Sequence, residues 1–351
     1  MNKIWTLLIS LLLVGSCGND NVTTDLGNDP EPPEWLIPSD QVFDGGPGKD
    51  GIPSIDNPRF TLASEVNFLD EDETVLVIKR GDQLKVYPHS ILNWHEIVND
   101  ELGDLKYALT YCPLTGTGIG WNRIINGSET TFGVSGLLYN TNLMPYDRLT
   151  NSTWTQQGLR CVNGELIGTE SENITFLETN FSTISTSFPE AEVLNTSTGF
   201  GRDYNRYPYG DYLTNTAILF PISVEDGRLH PKERTLAVYI GNEPTAFTFN
   251  ESGLGLTIHT EILENQKTHV ITSADDNIIT AFISEDEIDL SPVQNALPII
   301  AEDQNGNRYD LFGKVVENTN GASDLIQPIQ FVGFWFSWAS FHEELDLVEL
   351  K

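Results

Sequence analysis

The stretch 75–87, VLVIKRGDQLKVY, sets two short apolar alternating runs on either side of Lys79-Arg80-Gly81-Asp82-Gln83. β-Branched and aromatic residues in alternation, broken by a polar turn with one glycine, predict a β-hairpin. The Arg80-Gly81-Asp82 triplet is then turn chemistry rather than an adhesion motif. Working outward, residues 105–111 alternate as a strand and 119–125 resume as another. Two stretches carry a helical period instead. One is 90–99, with Ser90 as a candidate cap; the other is 331–341, where Phe334, Trp338 and Phe341 fall at i, i+4 and i+7. The expected fold class is mostly β with a few short helices (α+β).

The hairpin has an echo later in the chain. Thr74-Val75-Leu76-Val77-Ile78 with Gly81 and Tyr87 resembles Thr235-Leu236-Ala237-Val238-Tyr239 with Gly241 and Phe247, about 160 positions on. Phe181 and Phe188 resemble Phe334 and Phe341 at a similar displacement. Two degenerate β-rich halves, 45–205 and 206–351, are therefore expected to pack as one body. Cys112 maps onto Thr272, and nothing there repeats its surroundings, so the chemistry is expected in the first half.

Residues 1–17, MNKIWTLLISLLLVGSC, place one lysine before a short apolar run and end on Val14-Gly15-Ser16-Cys17. This reads as a lipoprotein signal peptide with Cys17 lipidated. Residues 18–44, acidic and proline-bearing, read as a flexible tether. The chain has 19 basic and 51 acidic residues, a net charge of −32. Such a field repels nucleic acid and anionic headgroups. Lipid on Cys17 is left to make the membrane attachment, with a protein or small molecule as further partner. The expected location is the cell envelope, anchored to a bacterial membrane on its periplasmic or surface side.

With Cys17 lipidated, Cys112 and Cys161 are the remaining thiols, too few for a disulfide framework. Cys112 lies in 111–118, YCPLTGTG, at a predicted strand end. Pro113, Gly116 and Gly118 turn the chain there, and converging amides of such a turn can hold an anion and lower a thiol's pKa. Arg123 on the following strand is a candidate helper and Thr115 a candidate hydrogen-bond partner of the sulfur. His95 shares a helical face with Ile91 and Val98, which makes it the candidate base, with His89 a weaker one. His95-Glu96 is not a zincin motif, because residue 99 is Asn. His95, Cys112, Cys161 and Met144 form an alternative soft-metal set for copper(I) or zinc, without diagnostic spacing. Phosphate-loop, dinucleotide and Ser-His-Asp signatures are absent, and no cofactor is expected.

A wider set of motifs resembles one bacterial family, the domain of unknown function 3179. The run Asp50-Gly51-Ile52-Pro53-Ser54-Ile55-Asp56-Asn57-Pro58-Arg59-Phe60, then Asn93-Trp94-His95-Glu96-Ile97-Val98-Asn99-Asp100, Tyr111-Cys112-Pro113-Leu114 and Phe132-Gly133-Val134-Ser135-Gly136 carry it. Tyr146-Asp147-Arg148, Gly201-Arg202-Asp203-Tyr204, Pro231-Lys232-Glu233-Arg234 and the stretch 334–342 complete it, over about residues 45–345. Members commonly read C-P-L-C at the turn, some with selenocysteine second, which implies thiol or selenol redox chemistry. Thr115 takes that second place here, so a dithiol within one turn is excluded. Cys161 is the candidate resolving partner if the fold brings it close enough.

Three readings of function follow. The leading one is thiol-redox or thiol-transfer chemistry at Cys112, with His95, Thr115 and Arg123. The second is a non-catalytic surface module binding a small polar ligand, glycan or protein through Tyr139, Asn140, Asp147, Arg148, Trp154, Gln156, Arg202, Asp203 and Tyr204. The third is Cys/His metal handling.

Overall fold

The computed structural model describes residues 35–350 apart from 242, 250–254, 285–287 and 318–320. The expected signal peptide with Cys17, and residues 18–34 of the expected tether, lie outside the described residues. The body begins sooner than residue 45. Leu36 N–H donates to Val162 O, and β1 (Val42–Asp44) pairs with residues 137–139, so the last part of the expected tether is sheet.

After β2 (Phe60–Leu62) the opening hairpin forms as β3 (Thr74–Arg80) and β4 (Gln83–Pro88). Val75, Val77 and Val86 point into one core cluster and Leu76, Ile78 and Tyr87 into another, so both faces of this hairpin are covered. Helix α1 (His89–His95) is shorter than the helix expected over 90–99 and carries no Ser90 cap. Ile97 and Val98 are strand because β5 (Ile97–Leu102) pairs along its length with β6 (Leu105–Cys112), and β-branched residues suit that surface. β7 (Thr117–Asn122) follows. The strand expected over 119–125 breaks at Arg123, and β8 (Ile124–Ile125) pairs only with β9 (Ser128–Glu129).

β10 (Phe132–Tyr139), β11 (Asn142–Asp147), β12 (Thr153–Thr155) and β13 (Arg160–Asn163) extend β1 into a five-stranded sheet. β14 (Asn173–Ile174) joins β7. β15 (Leu177–Asn180), α2 (Phe181–Ser187) and β16 (Glu192–Leu194) return to the hairpin, giving the order β15-β3-β4-β16-β2.

A linker, 195–233, crosses to the second half with one 3-10 turn, Tyr212–Thr214. There β17 (Arg234–Tyr239), β18 (Pro244–Thr248), β19 (Thr257–Leu263), β20 (Gln266–Ser273) and β21 (Ile278–Ile283) come first. β22 (Leu290–Pro292), β23 (Ile299–Asp303), β24 (Arg308–Asp310) and β25 (Val315–Glu317) follow. β26 (Ile329–Phe334), α3 (Trp335–Phe341) and β27 (Asp346–Val348) close it. The order β26-β17-β18-β27 repeats β15-β3-β4-β16, with the same sequence of antiparallel, antiparallel and parallel pairings and a seven-residue helix in each crossover. The meander β19-β20-β21 repeats β5-β6-β7, and β22–β25 repeat β10–β13.

The duplication is thus carried by topology, and the registers date each displacement. Leu76 opposes Tyr87 as Leu236 opposes Phe247 (236 − 76 = 160). Cys112 opposes Thr117 as Ser273 opposes Ile278 (273 − 112 = 161), so the counterpart of Cys112 is Ser273 and not Thr272. Phe181 matches Trp335 and not Phe334 (335 − 181 = 154). The hairpin alignment agrees with the registers, whereas those of Cys112 and Phe181 are each off by one residue, because connections between elements differ in length. The halves also clasp each other reciprocally. Phe334 N–H donates to Thr115 O at 2.7 Å, and its counterpart Asn180 N–H donates to Asp276 O at 3.1 Å.

Candidate functional site

Cys112 ends β6, and its carbonyl accepts from both Thr115 N–H (3.2 Å) and Gly116 N–H (2.8 Å). Those amides close a turn rather than surround a thiolate. The turn's carbonyls are taken as well, Pro113 O by Tyr207 Oη (3.2 Å), Leu114 O by Tyr212 Oη (2.8 Å) and Thr115 O by Phe334 N–H. Gly116 is required here. Its φ is +65°, and a Cβ would meet the Phe334 ring at 3.0 Å. The sulfur is buried and donates weakly to Thr141 O at 3.8 Å. Burial pushes the Cys112 thiol up to about 11, Glu96 adds to the rise, and hydrogen bonds from Thr115 and Leu143 N–H do not offset them.

His95 does not serve that sulfur. Its Nδ1 bonds Pro53 O and its Nε2 bonds Tyr204 Oη, each at 2.7 Å, and its ring packs on Phe200 and Tyr204. Burial lowers its pKa, which keeps the imidazole neutral. Arg123 is at the far end of the β6–β7 hairpin, beside Lys106, six residues from Cys112 and so about 20 Å away. It binds Thr130 O, Asp100 O and Glu129. Cys161 is a free thiol, as is Cys112, donating to Thr153 O and Asn163 O. The two do not form a disulfide. Among the described residues no group of three or more His, Cys, Asp and Glu is placed to hold a metal ion, so His95, Cys112 and Cys161 do not assemble as a ligand set.

Thr115, besides its hydrogen bond to the Cys112 sulfur, belongs to a buried polar network. Its Oγ1 bonds Thr117 Oγ1 at 2.8 Å and accepts from Asn142 Nδ2 at 2.9 Å. Gln156 Oε1 accepts from Thr117 Oγ1 and Asn142 Nδ2, both at 2.7 Å, and its Nε2 donates to Thr110 O and Thr117 O. Every member is satisfied, as a buried network must be.

The remaining ligand candidates disperse. Asn140 shares with Thr141 the two-residue turn of hairpin β10–β11, both left-handed, and its amide ties Ser340 O to Ser223 N–H. Asp147 caps residue 150 and accepts from Trp154 Nε1, while the Trp154 ring packs among Trp121 and Phe132. Arg148 clamps the segment 50–56 through Asp50, Asp56 and Ser54. Asp203 is exposed and caps Asn205 N–H. Tyr204 holds His95 and Thr198. Tyr139, Trp154 and Arg202 line cavities, and three different ones.

The cavity at Arg202 has the most pointed chemistry. It encloses about 320 Å³ between α1, the β10–β11 sheet, the segment 45–52 and the linker. Its walls are apolar, among them Leu114, Val134, Leu138, Leu143 and Phe220. Glu96 sits in that wall, buried, at the one-residue junction between α1 and β5, with a left-handed φ of +58° that is unusual for a side chain of its size. Burial pushes its carboxyl up to about 7, and the hydrogen bond from Tyr209 Oη (3.1 Å) only partly restrains the rise. Asn93, one helical turn earlier, lines the same cavity with a buried Oδ1 that has no partner among the described residues. At the mouth the Arg202 guanidinium lies 5.5 Å over the Trp94 ring.

Sequence reasoning did not find Glu96 as a site residue, Tyr209 as its partner, or Tyr207 and Tyr212 as the holders of the Cys112 turn. Tyr207, Tyr209 and Tyr212, spaced through a loop without strands, were the available signal, since long ordered loops are commonly functional. No curated protein and no solved structure matches the chain. A family model described as protein of unknown function (DUF3179) matches residues 49–345, nearly the whole described body. The chain therefore belongs to the DUF3179 family.

Proposed function

We propose that this protein is an envelope binding module, held to a bacterial membrane by lipid on Cys17, that takes a small apolar-bodied molecule with a hydrogen-bond-donating, cationic head into the Glu96 cavity. The single observation that carries this is the pairing of two inward acceptors, the Glu96 carboxyl and the orphan Asn93 Oδ1, with otherwise apolar walls. A buried acceptor without a partner costs about 1–3 kcal/mol, which a donating head group would remove. An ammonium would also ionise Glu96 by pairing with it, and the chain's −32 charge draws cations toward the surface. The thiol-transfer reading finds no matching support, because its sulfur is held protonated and its expected base faces away.

Calorimetric titration with n-hexylammonium, n-hexanol and n-hexanoate at pH 8 tests the reading. Hexylammonium binds best, and its affinity falls at least tenfold in Glu96→Gln and again in the wild type as the pH drops below 7. Equal binding of hexanoate, or no binding of any of the three, contradicts it.

A further inference from the structure

Two adjacent glutamines follow β12, and the fold treats them oppositely. Gln156 is fully satisfied by the network described above. Gln157 is equally buried, 1 % exposed, its backbone N–H is fixed by Asn142 Oδ1 at 3.0 Å, and yet among the described residues neither its Nε2 nor its Oε1 has a partner. A buried carboxamide left empty on both ends is costly, and native structures keep few of them. This one lines a cavity of about 510 Å³ at the seam of the two halves, well apart in residue membership from the Glu96 cavity. Its volume is within the roughly 300–1,000 Å³ of small-molecule sites.

The walls say what would fit. Tyr139 and Phe341 meet edge to face at 5.7 Å, and Tyr239 bonds His342, so half-buried aromatic surface faces the space. Arg160 and Glu170, joined by an isolated antiparallel bridge, carry opposite charges at the mouth, and the other lining carboxylate, Glu243, is paired with His342 Nδ1 at 2.8 Å. Paired opposite charges favour neither an anion nor a cation. The amide requires a ligand that both donates and accepts, and the rings favour apolar C–H faces. We infer that this seam cavity binds a neutral polyhydroxylated ring, of monosaccharide to disaccharide size, with the Gln157 carboxamide bonding its hydroxyls.

The test compares the folded wild type with Gln157→Leu and Tyr139→Leu, using D-glucose, N-acetyl-D-glucosamine, maltose and cellobiose as probes. Saturation-transfer NMR reports binding and thermal melting reports stability. At least one sugar is expected to bind the wild type, with affinity reduced tenfold or more in both variants. Gln157→Leu is expected to melt at the same temperature as the wild type or higher, because it deletes an unpartnered amide. Absence of sugar binding to the wild type, undiminished binding in either variant, or a Gln157→Leu that melts lower or does not fold overturns the inference.

Discussion

The two halves share a skeleton and differ in what fills it. In the first half the strand pair β6–β7 buries Thr110 and Thr117, and their counterparts at +161 in β20–β21 are Ile271 and Ile278, also buried. Lys85, Tyr87 and Asp100 form a buried ionic cluster, with Lys85 Nζ 2.9 Å from both Asp100 oxygens and Tyr87 Oη 2.6 Å from Oδ2. Their counterparts are Thr245, Phe247 and the part-exposed Glu261. The same strands form without these polar groups, so the fold does not demand them. They make a rigid, specifically shaped first half, and that half supplies most walls of the Glu96 cavity.

The largest expected effect comes from breaking the ionic cluster. Asp100→Ala leaves Lys85 and Tyr87 buried without their acceptor and should cost about 3–5 kcal/mol in urea unfolding. Glu261→Ala, its counterpart, should cost less than about 1 kcal/mol. Similar losses at the two positions would remove the asymmetry between the halves.

Next is Glu96. Its folded pKa, about 7, is raised above the ordinary 4.5, so between these values the folded state binds more protons than the unfolded state. Stability must then fall as pH rises from 4.5 to 7, by about 3 kcal/mol. Glu96→Gln should abolish that slope, and unfolding free energies measured at pH 4.5, 6 and 8 check it.

A smaller effect is expected from giving the first half a residue like those of the second. Thr117→Val removes a donor to Gln156 and should cost about 1–3 kcal/mol, whereas Ile278→Val at the matching place should cost about 0.5–1.5 kcal/mol. The smallest change concerns the thiol. Iodoacetamide at pH 8 should label native Cys112 no faster than the protein opens, and Cys161 similarly, because burial pushes each thiol up to about 11. Rapid labelling of Cys112 at neutral pH would restore the thiol-transfer reading.

The sequence disclosed what depends on local pattern. Hairpin β3–β4, strand β6 and helix α3 follow from alternation and i, i+4, i+7 spacing, and the duplication shows in Gly81 and Gly241. It misled where a residue's role is set by distant partners. Residues 97–99 fit a helical face but are strand, because pairing with 108–110 outweighs propensity. The cluster expected from Asp147, Arg148, Trp154 and Gln156 assumed that polar and aromatic residues near in sequence share a pocket. Each turned out to hold a different loop or layer. Glu96 was overlooked because nothing local marks a left-handed glutamate whose carboxyl is buried and bonded by Tyr209, 113 residues away.

The central claim, that Glu96 is a buried carboxyl poised at a binding cavity, is tested most directly by following its own titration. Carboxyl ¹³C NMR of the labelled protein, assigned with Glu96→Gln, should give a midpoint near 7 that moves down when n-hexylammonium is added. A midpoint at the ordinary 4.5, unmoved by the amine, would contradict the account.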